Sequence, residues 1–403
     1  MCTRAAAGQG GIFLFSGLMT AEAIITSDQR RGLAAAIICT SAVGTTMGLM
    51  WPLLSLILDG QGVDGRLIGL SSATQSLAGL VMSPFIPWLI SLFGMRRTAG
   101  GGILVILAAL AFLHLFENVY PWFAIRLVLG AAVTTLFLCT QTWVNRLAPD
   151  HARGRIIGIY GFLWSAGFGM GPLIIRFAGT GGWPPFLIAI LLVALAGIPL
   201  LLASEPEVLV YRPGLPRLPP LLSLGGVALA ASLFQGIMDA TGDSFFPLFG
   251  LRNGLAQGNA VMMLIVLQIG VLAIQLPIGW AADRMSRSRL LLAMTLLALA
   301  ICLLLPHTVN FPPGLWPSLF LLGVATGGVW TVSLALMGEY FRGERLASAL
   351  ALRSILYGLG AVVGPPLGGL ALGAWSGSGL PLMFAVVCAA FALFQIALLR
   401  AGR

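Results

Sequence analysis

Runs of about twenty apolar residues, each closed off by a short polar break, recur along almost the whole chain. They fall near residues 33–59, 67–91, 98–116, 121–144, 155–177 and 182–203, and again near 221–250, 258–282, 289–308, 314–340, 347–373 and 378–400. At about 1.5 Å of rise per residue, a helix over such a run crosses the apolar core of a bilayer. The polar, proline-rich stretch 204–220 reads as a linker. The pattern therefore predicts twelve helices, spans 1 to 12: a tail over residues 1–30, a six-helix bundle over 31–203, the linker, and a second bundle over 221–403.

The second half repeats the first. Gln75 and Pro84 recur as Gln268 and Pro277, Gly130 as Gly323, and Gly171-Pro172 as Gly364-Pro365, all at an offset of 193. The stretch from Ser91 to Arg97 recurs, one residue out of step, as Asp283 to Arg289. A duplicated membrane unit is the sequence mark of a transporter whose halves rock against each other around a central site.

Composition sharpens this. With 58% hydrophobic and 9% charged residues, against roughly 25% charged in soluble domains, lipid must be the solvent for most of the surface. All 22 basic residues are arginine, so no lysine can serve as a titrating amine or Schiff-base former. The net charge of +9 raises nucleic acid as a partner, but topology accounts for the arginines better. With both termini in the cytoplasm, eighteen of them, Arg353 included, fall on the inward side and only Arg66, Arg176 and Arg252 on the outward side. The expected address is the cytoplasmic (inner) membrane, with no nucleic-acid partner. Cys39, Cys139, Cys302 and Cys388 sit in apolar runs and Cys2 near the start, with neither metal spacing nor a disulfide pattern. The run from Gly11 to Met19 is too short to span, and Met19 is as good a start as Met1.

Between spans 8 and 9 the chain reads Gly279, Asp283, Arg284, Arg287 and Arg289. This resembles the loop motif of the major facilitator superfamily, G-x-x-x-D-R-x-G-R-[RK]. In the first half only Gly94, Arg96 and Arg97 remain of it, with Ser91 in place of the acid. The resemblance implies a cytoplasmic gate at Asp283, Arg284, Arg287, Gly94, Arg96 and Arg97, in which a carboxylate at a helix end meets arginine donors in one state only. Arg126 and Gly130 on span 4 resemble the superfamily's R-x-x-x-G element, and Gly167, Gly171 and Pro172 on span 5 its antiporter-associated G-x-x-x-G-P. The same pattern returns at Gly360, Gly364 and Pro365 on span 11, where it permits close helix contact and then a kink. Family membership implies an all-α integral membrane fold of twelve transmembrane helices, in two pseudo-symmetric six-helix bundles with inverted repeats within each half. The chain looks nearest to the prokaryotic drug-exporter-like members, expected to act as a monomer in lipid, without a cofactor, on a small-molecule substrate and protons.

Span 7 carries an acidic pair that no loop explains. Asp239 and Asp243, four residues apart, share one helix face. Aligned on Pro52 and Pro247, they stand where span 1 has Gly44 and Gly48, so they break the symmetry of the repeat. A carboxylate in a cavity that opens to alternate sides changes its proton affinity with solvation and with the approach of a cation. A pair between Arg126 and Asp239 or Asp243, made in one state and broken in the other, is therefore expected; snorkelling of Arg126 and a solvated cap at Asp243 are the plainer alternatives. Gln75, Gln268 and Gln141, with Ser71, Ser72 and Thr74, are further candidates for the cavity or for bonds across helices. His114 and Glu117 read as boundary residues. The favoured function is proton-coupled efflux of a hydrophobic or cationic compound. A facilitator, an importer of a small metabolite and a non-transporting sensor share the fold. No histidine–carboxylate cluster, nucleophile constellation or phosphate-binding glycine loop points to an enzyme.

Overall fold

The computed structural model describes residues 27–116, 118–149, 152–203, 218–342, 344–375 and 377–400. Most of the tail, with Cys2, Arg4 and Met19, lies outside them, as do Glu117, most of the linker with Arg212 and Arg217, and Arg403. The described residues hold twelve long helices and no strand. Spans 1 to 6 are Ser27–Gly60, Gly65–Phe93, Met95–Leu115, Val119–Leu147, Arg153–Ala178 and Pro184–Leu202. Spans 7 to 12 are Leu218–Arg252, Gln257–Ala282, Arg287–Thr308, Pro312–Tyr340, Glu344–Ala374 and Gly379–Arg400. Eleven are long and apolar enough to cross a membrane. Span 7 carries Gln235, Asp239 and Asp243 along its apolar run.

Local chemistry sets the helix ends. Asp64 caps span 2 by accepting from the Arg66 backbone N–H at 3.2 Å, and Asn118 caps span 4 through Tyr120 N–H at 3.2 Å. Spans 6 and 10 begin on prolines, which need no N–H partner there. Pro84 tightens span 2 into a 3₁₀ turn over Ser83–Phe85, while its repeat partner Pro277 sits inside an unbroken span 8. Gly94, at φ 82°, reverses the chain between spans 2 and 3, a conformation that disfavours a side chain.

Each half packs by one scheme. Span 1 lies on spans 4, 5 and 6, span 2 on span 4, and span 3 on spans 4 and 6; spans 7, 8 and 9 repeat this on spans 10, 11 and 12. The G-x-x-x-G-P helices supply the closest approaches. A Cβ on Gly171 would overlap the backbone at Gly48 and Leu49 of span 1, and one on Gly360 would overlap the carbonyl of Leu233 on span 7. The motif therefore seats span 5 on span 1 and span 11 on span 7 alike.

The expected equivalence of the acids with Gly44 and Gly48 is corrected here. Those glycines pack on Trp164 and Phe168, and Gly236, against the carbonyl of Tyr357, takes the comparable place on span 7. At the offset of 193 the acids match Thr46 and Met50, both fully buried. Between the halves, span 2 meets span 11, span 5 meets span 8 and span 1 meets span 7. Large apolar side chains such as Leu276, Phe177 and Leu202 stand almost fully exposed on the outside, as lipid requires.

Candidate functional site

Span 7 passes the middle of the molecule, where Met238, Ala240, Thr241, Ser244 and Phe245 are buried against neighbouring helices. Asp239 and Asp243 differ from these neighbours in keeping part of their surface accessible. Asp239 accepts from Gln235 Nε2 at 2.7 Å, one turn earlier, and from Tyr357 Oη of span 11 at 3.3 Å. Arg353, one turn before Tyr357, acts electrostatically on both Asp239 and Tyr357, and its guanidinium lies 3.9 Å from the ring centre of Trp330 on span 10. The Trp330 and Tyr357 rings meet edge to face at 5.8 Å. A carboxylate, a phenol, an amide and a guanidinium from two helices, closed off by an indole on a third, can hold and release a proton at Asp239. Asp243 lies one turn further along, nine residues before the helix ends at Arg252, so it is not a terminal cap.

In this conformation the expected pair between Arg126 and these acids is absent. Arg126 is 1% exposed, and its Nη1 donates to Ser71 Oγ and Ser72 Oγ of span 2, each at 3.1 Å. The reason is the register of the helices: the span 7 residues that approach Arg126 are Ala240 and Ser244, one position along from the acids. Burial also removes the snorkelling alternative.

The two repeat-related amides part company. Gln75 is 5% exposed and donates to Met47 Sδ at 3.4 Å within its own half. Gln268 donates to the Ser165 carbonyl of span 5 at 3.4 Å, a bond between the halves. Gln141 is exposed near the end of span 4, its backbone carbonyl accepting from Asn145 Nδ2 at 2.8 Å. His114 stacks edge-on against Trp183 at 4.2 Å, where spans 3 and 6 meet.

At the arginine-rich end, Asp283 is 76% exposed and lies 3.8 Å from Arg287, which also holds Glu339 of span 10 at 2.9 Å. Arg284 folds back on Trp280, and Arg96 Nη2 donates to the Ala203 carbonyl at 2.7 Å while Arg97 stays exposed. Each of these contacts joins elements of one half. The opposite end is clasped between halves. Arg252 pairs with Asp59 at 3.0 Å and Gln257 donates to Thr180 Oγ1 at 3.2 Å, while a bond within the second half, from Arg252 to the Leu372 carbonyl at 3.0 Å, steadies the arginine. Gly65 and Gly69 of span 2 lie against Gly369 and Pro365 of span 11, backbone to backbone. Asp59 and Arg252 are themselves repeat partners at the offset of 193, brought together by the pseudo-two-fold relation of the halves.

Sequence reasoning missed Tyr357, Trp330 and Gln235, and it misplaced Arg353 among the loop arginines. Arg353 is 8% exposed, nine residues into span 11. Its position inside an apolar run, four residues before a tyrosine, was the available signal. Among the described residues no group of three or more histidine, cysteine or acidic side chains stands ready for a metal. Cys39, Cys139, Cys302 and Cys388 are buried free thiols.

Comparison with known proteins agrees with this architecture. The family described as Major Facilitator Superfamily matches residues 36–273 and again 221–402. An uncharacterized MFS-type transporter of Bacillus subtilis, YfkF, is 27% identical over 340 residues, covering 83% of this chain and 86% of the relative. Another, YcaD of Escherichia fergusonii, is 22% identical over 341 residues, covering 83% and 87%. Among solved structures, a nucleoside transporter, NupG, superposes with a TM-score of 0.73 at 14% identity, covering 92% of this chain and 99% of that one. A D-xylose–proton symporter does so with 0.74 at 16%, covering 91% and 97%.

Proposed function

The chain belongs to the Major Facilitator Superfamily, whose members are transporters and not enzymes, and on that premise we propose that it is a proton-coupled secondary transporter working by alternating access. The observation that carries the proposal is Asp239: an acid within a transmembrane helix, partly accessible, whose two hydrogen-bond donors come from span 7 itself and from span 11. Both donors lie in the second half, so movement of that half against the first leaves them in place and changes the solvation of the carboxylate, and with it its hold on a proton. Efflux in the manner of the drug-exporter-like members, with a hydrophobic or cationic compound as cargo, fits two acids on a largely apolar helix. The arginine distribution supports an arrangement with both termini in the cytoplasm, in which the clasp at Asp59 and Arg252 closes the outward side.

The test begins with a thermal-shift screen of the purified protein against hydrophobic cations and neutral analogues at two pH values on either side of neutrality. Transport of a hit is then measured in proteoliposomes. Asp239→Asn should abolish proton-driven flux while solute exchange continues. Full gradient-driven activity in both Asp239→Asn and Asp243→Asn would refute the coupling role.

A further inference from the structure

Arg126 has lost its water and gained no counter-charge. Nη1 is committed to Ser71 and Ser72, while Nε is buried with no partner and no hydrogen bond reaches Nη2 among the described residues. Nε and Nη2 form the side edge of the guanidinium, the edge that takes both oxygens of a carboxylate in a bidentate pair. That residue faces a narrow cavity between the halves, with Trp51 and Ser72 on its own side and Ala240, Ser244 and Pro365 opposite. Two more donors at this cavity, Trp51 Nε1 and Ser244 Oγ, are buried and unpartnered. No acid lines it. Leaving several buried donors unmet costs about 1–3 kcal/mol for each, so their convergence on one small space calls for a ligand.

We propose that Arg126, Trp51 and Ser244 form a binding site for a carboxylate group, occupied when the clasped end of the molecule opens. In the present conformation the cavity is too narrow for a water molecule. Because it is walled by both halves, separating spans 7 and 11 from spans 1 and 2 widens it and presents all four donors to the carboxylate. Arg126 keeps its serines throughout, and closure narrows the cavity and expels the ligand. A carboxylate that binds one conformation only must shift the equilibrium toward it. The site rests on the alternation proposed above and adds a chemical class to the ligands, an acid distinct from the cationic group that suits Asp239 and Asp243.

Ala240 lines the cavity and is 1% exposed, so Ala240→Cys reports opening through its rate of reaction with a maleimide, the parent chain serving as background. Gly69→Leu, whose side chain collides with the Pro365 carbonyl, provides a form wedged open. Sodium benzoate is expected to raise the labelling rate about tenfold over sodium chloride at equal ionic strength, the factor that corresponds to about 1.4 kcal/mol of preference. Benzylammonium should have no effect. Arg126→Gln should abolish the response, and Arg126→Lys, a point charge without the fork, should keep only a small part of it. Trp51→Phe and Ser244→Ala, which remove donors that have no partner in the fold, should each weaken it about threefold. If Ala240→Cys labels rapidly with Gly69→Leu yet ignores benzoate, the carboxylate site is wrong and alternation stands. If it resists labelling even in the wedged form, alternation fails and the site with it. A benzoate response that survives Arg126→Gln overturns the assignment.

Discussion

Asp239 draws its two donors from different helices of one half, Gln235 on span 7 and Tyr357 on span 11. Gln235 belongs to the same helix and travels with the acid, so its hydrogen bond persists through any rigid movement of span 7. Tyr357 belongs to span 11, which lies backbone to backbone on span 7, so its hydrogen bond also stays with the acid as the half moves. Tyr357→Phe removes that donor without changing the ring that packs on Trp330. A hydrogen bond to a charged group contributes about 1.5–3 kcal/mol, so proton-driven flux should fall about tenfold or more while exchange changes little. Flux of a thermal-shift hit in proteoliposomes, with and without a pH gradient, measures both. Span 7 advertised its acids in the sequence because carboxylates are rare in apolar runs. Their partners were not legible, since nothing local tells a tyrosine or arginine on span 11 which helix it will face.

Helix pairing depends on small residues at a few places. Spans 1 and 5 and spans 7 and 11 approach until backbones touch, at Gly48 with the Phe168 carbonyl and at Gly236 with the Tyr357 carbonyl. Gly48→Val should destabilise the protein by about 1–3 kcal/mol through overpacking, lowering its melting temperature in detergent. Gly158, in span 5 with nothing near its absent side chain, is the control, and Gly158→Ala should leave the melting temperature unchanged or raise it. A paired drop at both sites would contradict the packing account. The repeated G-x-x-x-G-P pattern was readable because small residues spaced by four mark a contact face. Which helix fills that face was not.

For the molecule as a whole, the clasped end is held by a pair that the repeat itself created. Asp59 and Arg252 occupy equivalent positions in the two halves, and the pseudo-dyad brings them within 3.0 Å with opposite charges. Span 2 lies close on span 11 through Gly65 and Gly69, whereas the matching contact of span 8 with span 5 places Arg176 beside Gly258 and Gln268 beside Gly169. Reversing one charge, as in Asp59→Arg or Arg252→Asp, should favour opening by about 1 kcal/mol, roughly fivefold in the labelling of Ala240→Cys. The double reversal should restore the parent rate. Failure of that rescue would mean the backbone contacts alone hold the end closed. The sequence by itself determined the class of solvent, the number of helices, their duplication and the family, because apolar run length, arginine placement and repeat spacing are properties of the chain taken in order. Only the tertiary structure decided which side chains meet. It separated Arg126 from the acids, gave Asp239 its tyrosine and set Asp59 against Arg252. Such pairings depend on helix rotation and on contacts across hundreds of residues, and no one-dimensional pattern encodes either.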